Sequence, residues 1–365
     1  MSQPPVHLPE LRRGPQDDWV LLAPMRSLRT DRIDRLQREC PFCPGNEYLT
    51  PPSLLALTED GATGAWFVRV VENRFPLLAG SATRVEPTRL PLFQAAPAVG
   101  VHEVAIETPH HEQEMALRTP EQLSLTFRAW QERVRALHAR KDLRHVVVFK
   151  NCGEEAGTSL AHPHSQIVAL TRIPQAVLRR SRKARAFFER SGKCAVCETS
   201  QLEAQLRERI VLESEGFLAY APFAASSEAL VRVTPLEHSP AFTDASAASL
   251  LLLSRHLRLL LSMLDSAFSS PAFNLVLVMP PRTILHDPAQ HWYLDLIPRL
   301  SRPGGFEIAT GLGVNTLLPE EAAKIYRKTR LHLESPHRDG NNSSDEPDLQ
   351  WMRLVTRPLR NQLDE

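Results

Sequence analysis

The sequence lacks an excess of either charge. Its 365 residues carry 43 Lys and Arg against 42 Asp and Glu, a formal net charge of +1. Nucleic-acid and membrane-surface proteins normally show a basic excess or stripe, so this balance argues against both. A membrane-length apolar run is also missing, since no stretch reaches about 18 consecutive apolar residues. The most apolar segment, "SLLLLSRHLRLLLSML" (249–264), is broken by Arg255, His256 and Arg258. It reads as an amphipathic or buried helix. The first residues, "MSQPPVHLPELRRG", contain no apolar h-region. No signal peptide is therefore expected, and the cytoplasm is the default location. Cysteine is sparse, with Cys40, Cys43, Cys152, Cys194 and Cys197. In a cytosolic chain these are not expected to form structural disulfides.

What is present supports a packed core: 42% of residues are hydrophobic and 23% charged, over a length that fits two ordinary domains or one large one. The 30 prolines point to many turns and strand ends. "WFVRVVENRFPLL" (66–78) alternates like a strand and breaks at Asn73. "HEVAIETP" (102–109) alternates again and ends in a Pro turn. "TPEQLSLTFRAWQERVRALHAR" (119–140) has a Thr N-terminus, early Glu and Gln, and helical apolar spacing, which predicts a long amphipathic helix. "HVVVFKN" (145–151) reads as a buried strand. The order then recurs: a basic helix (177–193), strands at 217–223 and 229–235, a second long helix (243–268), a buried strand (273–280) and "HWYLDLIPRL" (291–300). The segment from Ser335 to about Asp348 is polar and predicts a flexible tail.

The recurrence extends to chemistry. Four of the five cysteines fall in two C-x-x-C pairs. Cys194 lies 154 residues after Cys40, and Cys197 lies 154 after Cys43. His238, in "TPLEH", lies 127 after His111, in "TPHH", and His291 lies 129 after His162. Four metal-capable side chains thus recur in one order, which implies two copies of one supersecondary unit. Zinc prefers tetrahedral Cys/His coordination. Cys40 and Cys43 with His111 (or its neighbour His110) and His162 make one candidate set; Cys194, Cys197, His238 and His291 make a second. The competing reading, a thioredoxin-like redox pair, normally opens a helix in a βαβ unit. "CPFCPGNE" (40–47) instead has Pro and Gly straight after the second cysteine, so metal is favoured.

The stretch "GTSLAHPHSQIVAL" (157–170) is the most pointed. On an extended segment alternate residues share a face, so His162, His164 and Gln166 point one way and Pro163, Ser165 and Ile167 the other. Proline lacks a donor, which fits a strand start or sheet edge. A neutral imidazole is a good nucleophile near pH 7 if its second nitrogen has an acceptor, commonly a backbone carbonyl. Gly157, Thr158 and Ser159 are placed to serve an anionic oxygen. A lone strand histidine is more often a satisfied core residue; H-P-H-S-Q after G-T-S is not a lone histidine.

"CPFCPGNE", "ENRFPLL", "HEVAIETPHH", "FKNCGEEAGTSLAHPHSQIVAL" and "HWYLDLIPRL…GFEIATG…N…PEEAA" resemble the galactose-1-phosphate uridylyltransferase branch of the histidine-triad superfamily, over about residues 10–330. The resemblance implies an α+β fold of two tandem histidine-triad-like domains with antiparallel sheets and flanking helices. They would span 1–175, with a zinc site and the catalytic histidine, and 176–334, with a second zinc site, followed by a flexible tail at 335–365. It implies a homodimer and ping-pong transfer. His164 would attack the α-phosphorus of UDP-glucose, leaving a uridylyl-histidine that galactose-1-phosphate then attacks. Gln166 and, on the phosphate side, Asn151 and Ser159 match family contacts. Asn73, Arg74 and Phe75 fall where base and ribose are held. Cys40, Cys43, His111 and His162 match the zinc ligands. Tyr293 stands where many relatives carry His, so no covalent intermediate is expected in the second half. The family's iron-binding set has no match, so no iron is expected. Cys152 reads as a small core residue.

Two rivals remain. One is the same fold with an adenylylated His164 and inorganic phosphate as acceptor, an ADP-glucose phosphorylase or dinucleoside polyphosphate phosphorylase. The other is a non-enzymatic zinc module that binds nucleic acid, which the neutral charge disfavours.

Overall fold

The computed structural model describes residues 8–13, 15, 19–27, 40–59, 65–80, 90 and 92–334. The expected tail at 335–365 lies outside the described residues. In chain order the first half gives β1 (Glu10–Arg13), β2 (Trp19–Leu22), β3 (Ser53–Leu57), β4 (Val68–Glu72), β5 (Gln94–Pro97), β6 (Gly100–Ile106), helix α1 (Pro120–His138), β7 (His145–Cys152) and β8 (His164–Leu170). The second half gives α2 (Gln175–Ser191), α3 (Ala195–Leu206), β9 (Ile210–Ser214), β10 (Phe217–Tyr220), β11 (Val231–Pro235), α4 (Ala247–Phe268), β12 (Phe273–Val278), β13 (Tyr293–Pro298), α5 (Gly305–Thr310) and α6 (Pro319–Glu334).

A ten-stranded sheet runs β3-β4-β6-β8-β7-β12-β13-β11-β10-β9, and a small sheet runs β2-β1-β5. Read inward from its two edges, the large sheet has one topology twice: β3-β4-β6-β8-β7 mirrors β9-β10-β11-β13-β12. Each half inserts its long helix after its third strand, α1 after β6 and α4 after β11. The repeat expected from cysteine and histidine spacing is therefore a repeat of α+β units. The two antiparallel sheets are not separate. They join edge to edge where β7 pairs with β12, from Phe273↔Cys152 to Leu277↔Val148, so neither inner edge is left unpaired.

Helix α1 begins where its sequence says it should. The Thr119 hydroxyl accepts from Gln122 N and the Gln122 side chain accepts from Thr119 N, with Pro120 at the first helical position. Its buried residues Leu123, Phe127, Trp130, Val134 and Leu137 recur every three or four positions and face the sheet. Helix α4 lies beside it in one core, burying Leu250, Leu253, Leu257, Leu260, Leu261 and Leu264. Each such leucine contributes roughly 1.5–3 kcal/mol. By length and composition α4 could cross a membrane, but half of its most apolar window is buried in the protein.

The opposite face of the first half carries the polar residues. Register pairs Ile106 with His164 and Val104 with Gln166, so these side chains share one face. Ser165 points the other way, and Trp130 Nε1 on α1 donates to its hydroxyl at 2.7 Å. The alternation read from the sequence therefore holds for His164 and Gln166 against Ser165 and Ile167. Strand β10 ends at Tyr220, short of the expected Phe223, because Pro222 follows. Helix α4 starts at Ala247, after a short 3-10 turn at Phe242–Asp244. Helix α3 was not legible: Cys194 is its N-cap, so the second C-x-x-C opens a helix while the first lies in a turn.

Candidate functional site

His164 opens β8, and Pro163 before it is tied to the neighbouring strand when Glu107 N donates to its carbonyl at 3.1 Å. His164 Nδ1 lies 2.9 Å from the His162 carbonyl oxygen. Only Nδ1–H can make that bond, so Nε2 carries the ring's lone pair. The side chain is buried, with the Phe42 ring edge-on at 5.5 Å. It lines a cavity of about 300 Å³ together with Asn73, Arg74, Phe75, Ser159 and Gln166. A second cavity of about 440 Å³ lies across the 159–161 strip and reaches His164 from the side of Lys150, Asn151 and Thr158. Ser159 lines both cavities, and its hydroxyl is buried without a hydrogen-bond partner among the described residues.

The flanking side chains are held. Asn73 Oδ1 accepts from Phe75 N at 2.8 Å, an Asx-turn that shapes the chain after β4. Gln166 Oε1 lies 3.0 Å from His102 Nε2. Asn151 Oδ1 accepts from Asn274 Nδ2 at 2.9 Å, and Asn274 also donates to the Ala156 carbonyl. Beneath the loop, fully buried Glu107 accepts from Arg118 at 2.7 Å and lies 3.3 Å from Lys150. Burial alone would push the Glu107 carboxyl up; Lys150 and Arg118 outweigh it and hold the group below the usual carboxylate range. This buried carboxylate joins the end of β6 to Lys150 on β7, the two strands that flank the start of β8 at His164. Cys152 lines the second cavity, its thiol pushed up to about 12 by burial first and then by the neighbouring Glu114 carboxylate, which also pairs with Lys150 at 3.3 Å.

Cys40, Cys43, His111 and His162 converge, each offering a ligand atom within 4.8 Å of the others. His162 Nδ1 lies 3.7 Å from Cys40 Sγ and 3.6 Å from Cys43 Sγ, and His111 Nδ1 lies 3.4 Å from Cys43 Sγ. Tetrahedral zinc with bonds of about 2.0–2.3 Å needs ligand atoms roughly 3.3–3.8 Å apart, so the donor set fits that ion. His162 Nε2 lies 2.8 Å from the Thr108 carbonyl, which fixes its proton there and turns Nδ1 to the sulfurs. Burial brings the His162 ring down to about 4, keeping it neutral, while burial and Cys40 push the Cys43 thiol up to about 11.

Of the second set, Cys194, Cys197 and His238 converge in the same way, with Cys197 Sγ 3.4 Å from His238 Nδ1. His291 stands next to them, its ring 5.4 Å from that of His238. Its Nδ1 lies 2.8 Å from the Trp292 carbonyl, and its Nε2 is buried with no hydrogen-bond partner among the described residues. The structure thus brings three of the four expected ligands of the second set together and leaves His291 outside the group of converging ligand atoms. The hydrogen bond between the sulfurs holds Cys194 low, to about 5, and Cys197 high, as expected of two acids sharing a proton. Where His164 stands in the first half, Tyr293 stands in the second, its ring covered by the Arg232 guanidinium at 3.9 Å; Arg232 in turn grips Asp295 with two bonds of 2.8 and 3.0 Å.

Sequence reading missed His102, Asn274 and Glu107. Each acts through a partner on another strand, and only the strand order reveals the pairing.

Two α+β units with a histidine pair at a strand start define a tandem histidine-triad fold. A family model for the galactose-1-phosphate uridyl transferase N-terminal domain matches residues 26–174. ADP-glucose phosphorylase of Arabidopsis thaliana is 31% identical over 335 residues, 88% of this chain and 93% of that one. Galactose-1-phosphate uridylyltransferase of Thermotoga maritima is 26% identical over 333 residues, 89% and 99% of the two chains. A crystal structure of an Arabidopsis thaliana ADP-glucose phosphorylase with bound ADP-glucose superposes with a TM-score of 0.70 at 30% identity, covering 88% of this chain and 99% of that one. The chain belongs to the galactose-1-phosphate uridylyltransferase family of nucleotidyltransferases.

Proposed function

We propose that the protein moves a nucleotidyl group from a nucleoside-diphosphate hexose to a phosphate-bearing acceptor through a covalent nucleotidyl-histidine on His164. One observation supports this reading: the Nδ1 proton of His164 is held by the His162 carbonyl at 2.9 Å, which leaves on Nε2 the lone pair that a nucleophile needs, on a side chain that lines the cavity. In the first half-reaction Nε2 forms a bond to the α-phosphorus. The bond from that phosphorus to the bridging oxygen breaks, and hexose-1-phosphate leaves with the electron pair. In the second, a phosphate oxygen of the acceptor bonds to the phosphorus, the P–N bond breaks, and the ring recovers its lone pair. Gln166 and the unpartnered Ser159 hydroxyl face the transferred phosphoryl group, where donors stabilise developing charge. Asn151 serves the leaving phosphate, and Asn73, Arg74 and Phe75 serve ribose and base.

ADP-glucose as donor with inorganic phosphate as acceptor is the favoured pair, supported by the 31% identity to ADP-glucose phosphorylase. UDP-glucose with galactose-1-phosphate, the first expectation from sequence, is the second reading, supported by the Thermotoga maritima relative at 26% identity. We assign structural zinc to both Cys/His clusters, place the unit boundary near residue 175, and expect a homodimer. Intact-protein mass spectrometry at neutral to alkaline pH, after mixing with ADP-glucose or UDP-glucose, tests the proposal, since phosphoramidates are acid-labile. An adduct identifies the transferred nucleotide; no adduct with either donor would remove the covalent mechanism.

A further inference from the structure

We infer that His102 is a positioning residue that fixes the Gln166 amide, so that its NH₂ group rather than its oxygen meets the transferred phosphoryl group. The inference rests on the proposed function for the identity of what Gln166 meets, but the orientation itself follows from geometry.

The backbone N–H of Leu77 reaches His102 Nδ1 at 2.9 Å. A backbone N–H can only donate, so Nδ1 is an acceptor and the proton of the neutral ring sits on Nε2. Nε2 lies 3.0 Å from Gln166 Oε1 and 3.1 Å from Asn73 Nδ2. The Asn73 amide is already fixed, because its Oδ1 accepts from Phe75 N. Its Nδ2 is therefore a donor like the Nε2–H, so their 3.1 Å contact is not a hydrogen bond and Asn73 cannot receive the His102 proton. That proton goes to Gln166 Oε1, which turns the Gln166 NH₂ toward the cavity it lines with His164.

Strand geometry makes the contact possible. His102 sits opposite Val168 and Gln166 opposite Val104 on the paired strands β6 and β8. The two polar side chains are diagonal neighbours on one face, within reach for long side chains. Both are buried, at 4% and 5% exposure. A flipped Gln166 amide would set NH₂ against the His102 N–H and aim a carbonyl oxygen at a phosphate oxygen. The chain of orientation starts at a main-chain N–H and ends at a donor beside the nucleophile, with no exposed group in between.

Two measurements test this. Long-range ¹H–¹⁵N spectra of the intact protein at neutral pH should show His102 as the Nε2–H tautomer; an Nδ1–H tautomer overturns the relay whatever the substrate. Single-turnover adduct formation at saturating donor should then be compared in four variants. His102→Leu should slow it about 10–100-fold, the usual cost of losing an outer-shell partner, with donor affinity held. His102→Gln, which keeps an N–H donor in reach, should recover most of the rate. His102→Leu combined with Gln166→Ala should be no slower than Gln166→Ala alone. Multiplying losses in the double variant, or wild-type speed in His102→Leu, would overturn the inference. A wild-type protein that forms no adduct would instead strike the nucleotidyl-histidine reading, and the tautomer would still decide the relay.

Discussion

Asn274 on β12 donates to Oδ1 of Asn151 on β7 at 2.9 Å, and its own Oδ1 accepts from Arg299 at 2.6 Å. The two asparagines are register partners across the seam between the halves. The second half therefore orients a side chain that lines the first half's cavity. Asn274→Ala should leave the Asn151 amide held only by its long 3.4 Å bond to the Gly157 carbonyl. A net hydrogen bond is worth about 1 kcal/mol, so we expect the KM for the sugar-nucleotide donor to rise about fivefold with kcat less affected. Steady-state kinetics that leave both constants unchanged would remove any role for Asn151 that depends on its orientation.

The nucleophile can be counted. Tyr293 takes the place of His164 in the second unit, and Arg232 covers its ring. One nucleotidyl group per chain is expected, and none in His164→Asn, with the circular dichroism spectrum unchanged. Gln166→Ala should retain adduct formation but slow it about 10²–10³-fold, the usual effect of losing one oriented donor. Two groups per chain, or near-normal turnover in His164→Asn, would contradict the assignment.

Much of this site was legible because its chemistry is local. H-P-H-S-Q puts His164 and Gln166 on one face by strand alternation alone, and the His162 carbonyl that fixes the His164 proton lies two residues away. The grouping of Cys40, Cys43, His111 and His162, and of Cys194, Cys197 and His238, was legible because a duplicated unit repeats its spacings; His291, expected as a fourth member, stays outside the second group. His102 was not, since its partner Gln166 is 64 residues distant and meets it only through the pairing of β6 with β8. Asn274 lies further still, 123 residues from Asn151, across a seam that no periodicity announces. Helix α3 was hidden because a cysteine is a poor N-cap signal.

Metal content separates the two clusters. Purified protein should hold two zinc ions per chain by elemental analysis. Cys40→Ser should lose one and lower the melting temperature, because structural zinc contributes directly to folding. Cys197→Ser should lose the other and spare the site around His164, since Cys40, Cys43, His111 and His162 remain grouped. Well-folded protein without zinc would end both assignments.

Acid should destabilise the protein before its carboxylates titrate. His256 on α4 is 2% exposed, and burial, then nearby Arg330, bring its ring down to about 3. Burial likewise brings His138 and His145 to about 4. In the unfolded chain a histidine titrates near 6.5. Between those values the unfolded state binds a proton that the folded state refuses, so stability rises with pH there. The contribution of neutral His256 is therefore complete above about 6.5 and is lost as pH falls toward 3, at roughly 1.4 kcal/mol per pH unit. His256→Leu removes this titration and should flatten the fall in stability between pH 6 and 4, whatever its stability at pH 7. Any loss of metal in acid affects both proteins and cancels in the comparison. Chemical denaturation across that range, with equal slopes for wild type and His256→Leu, would show that His256 does not enter the folded state neutral.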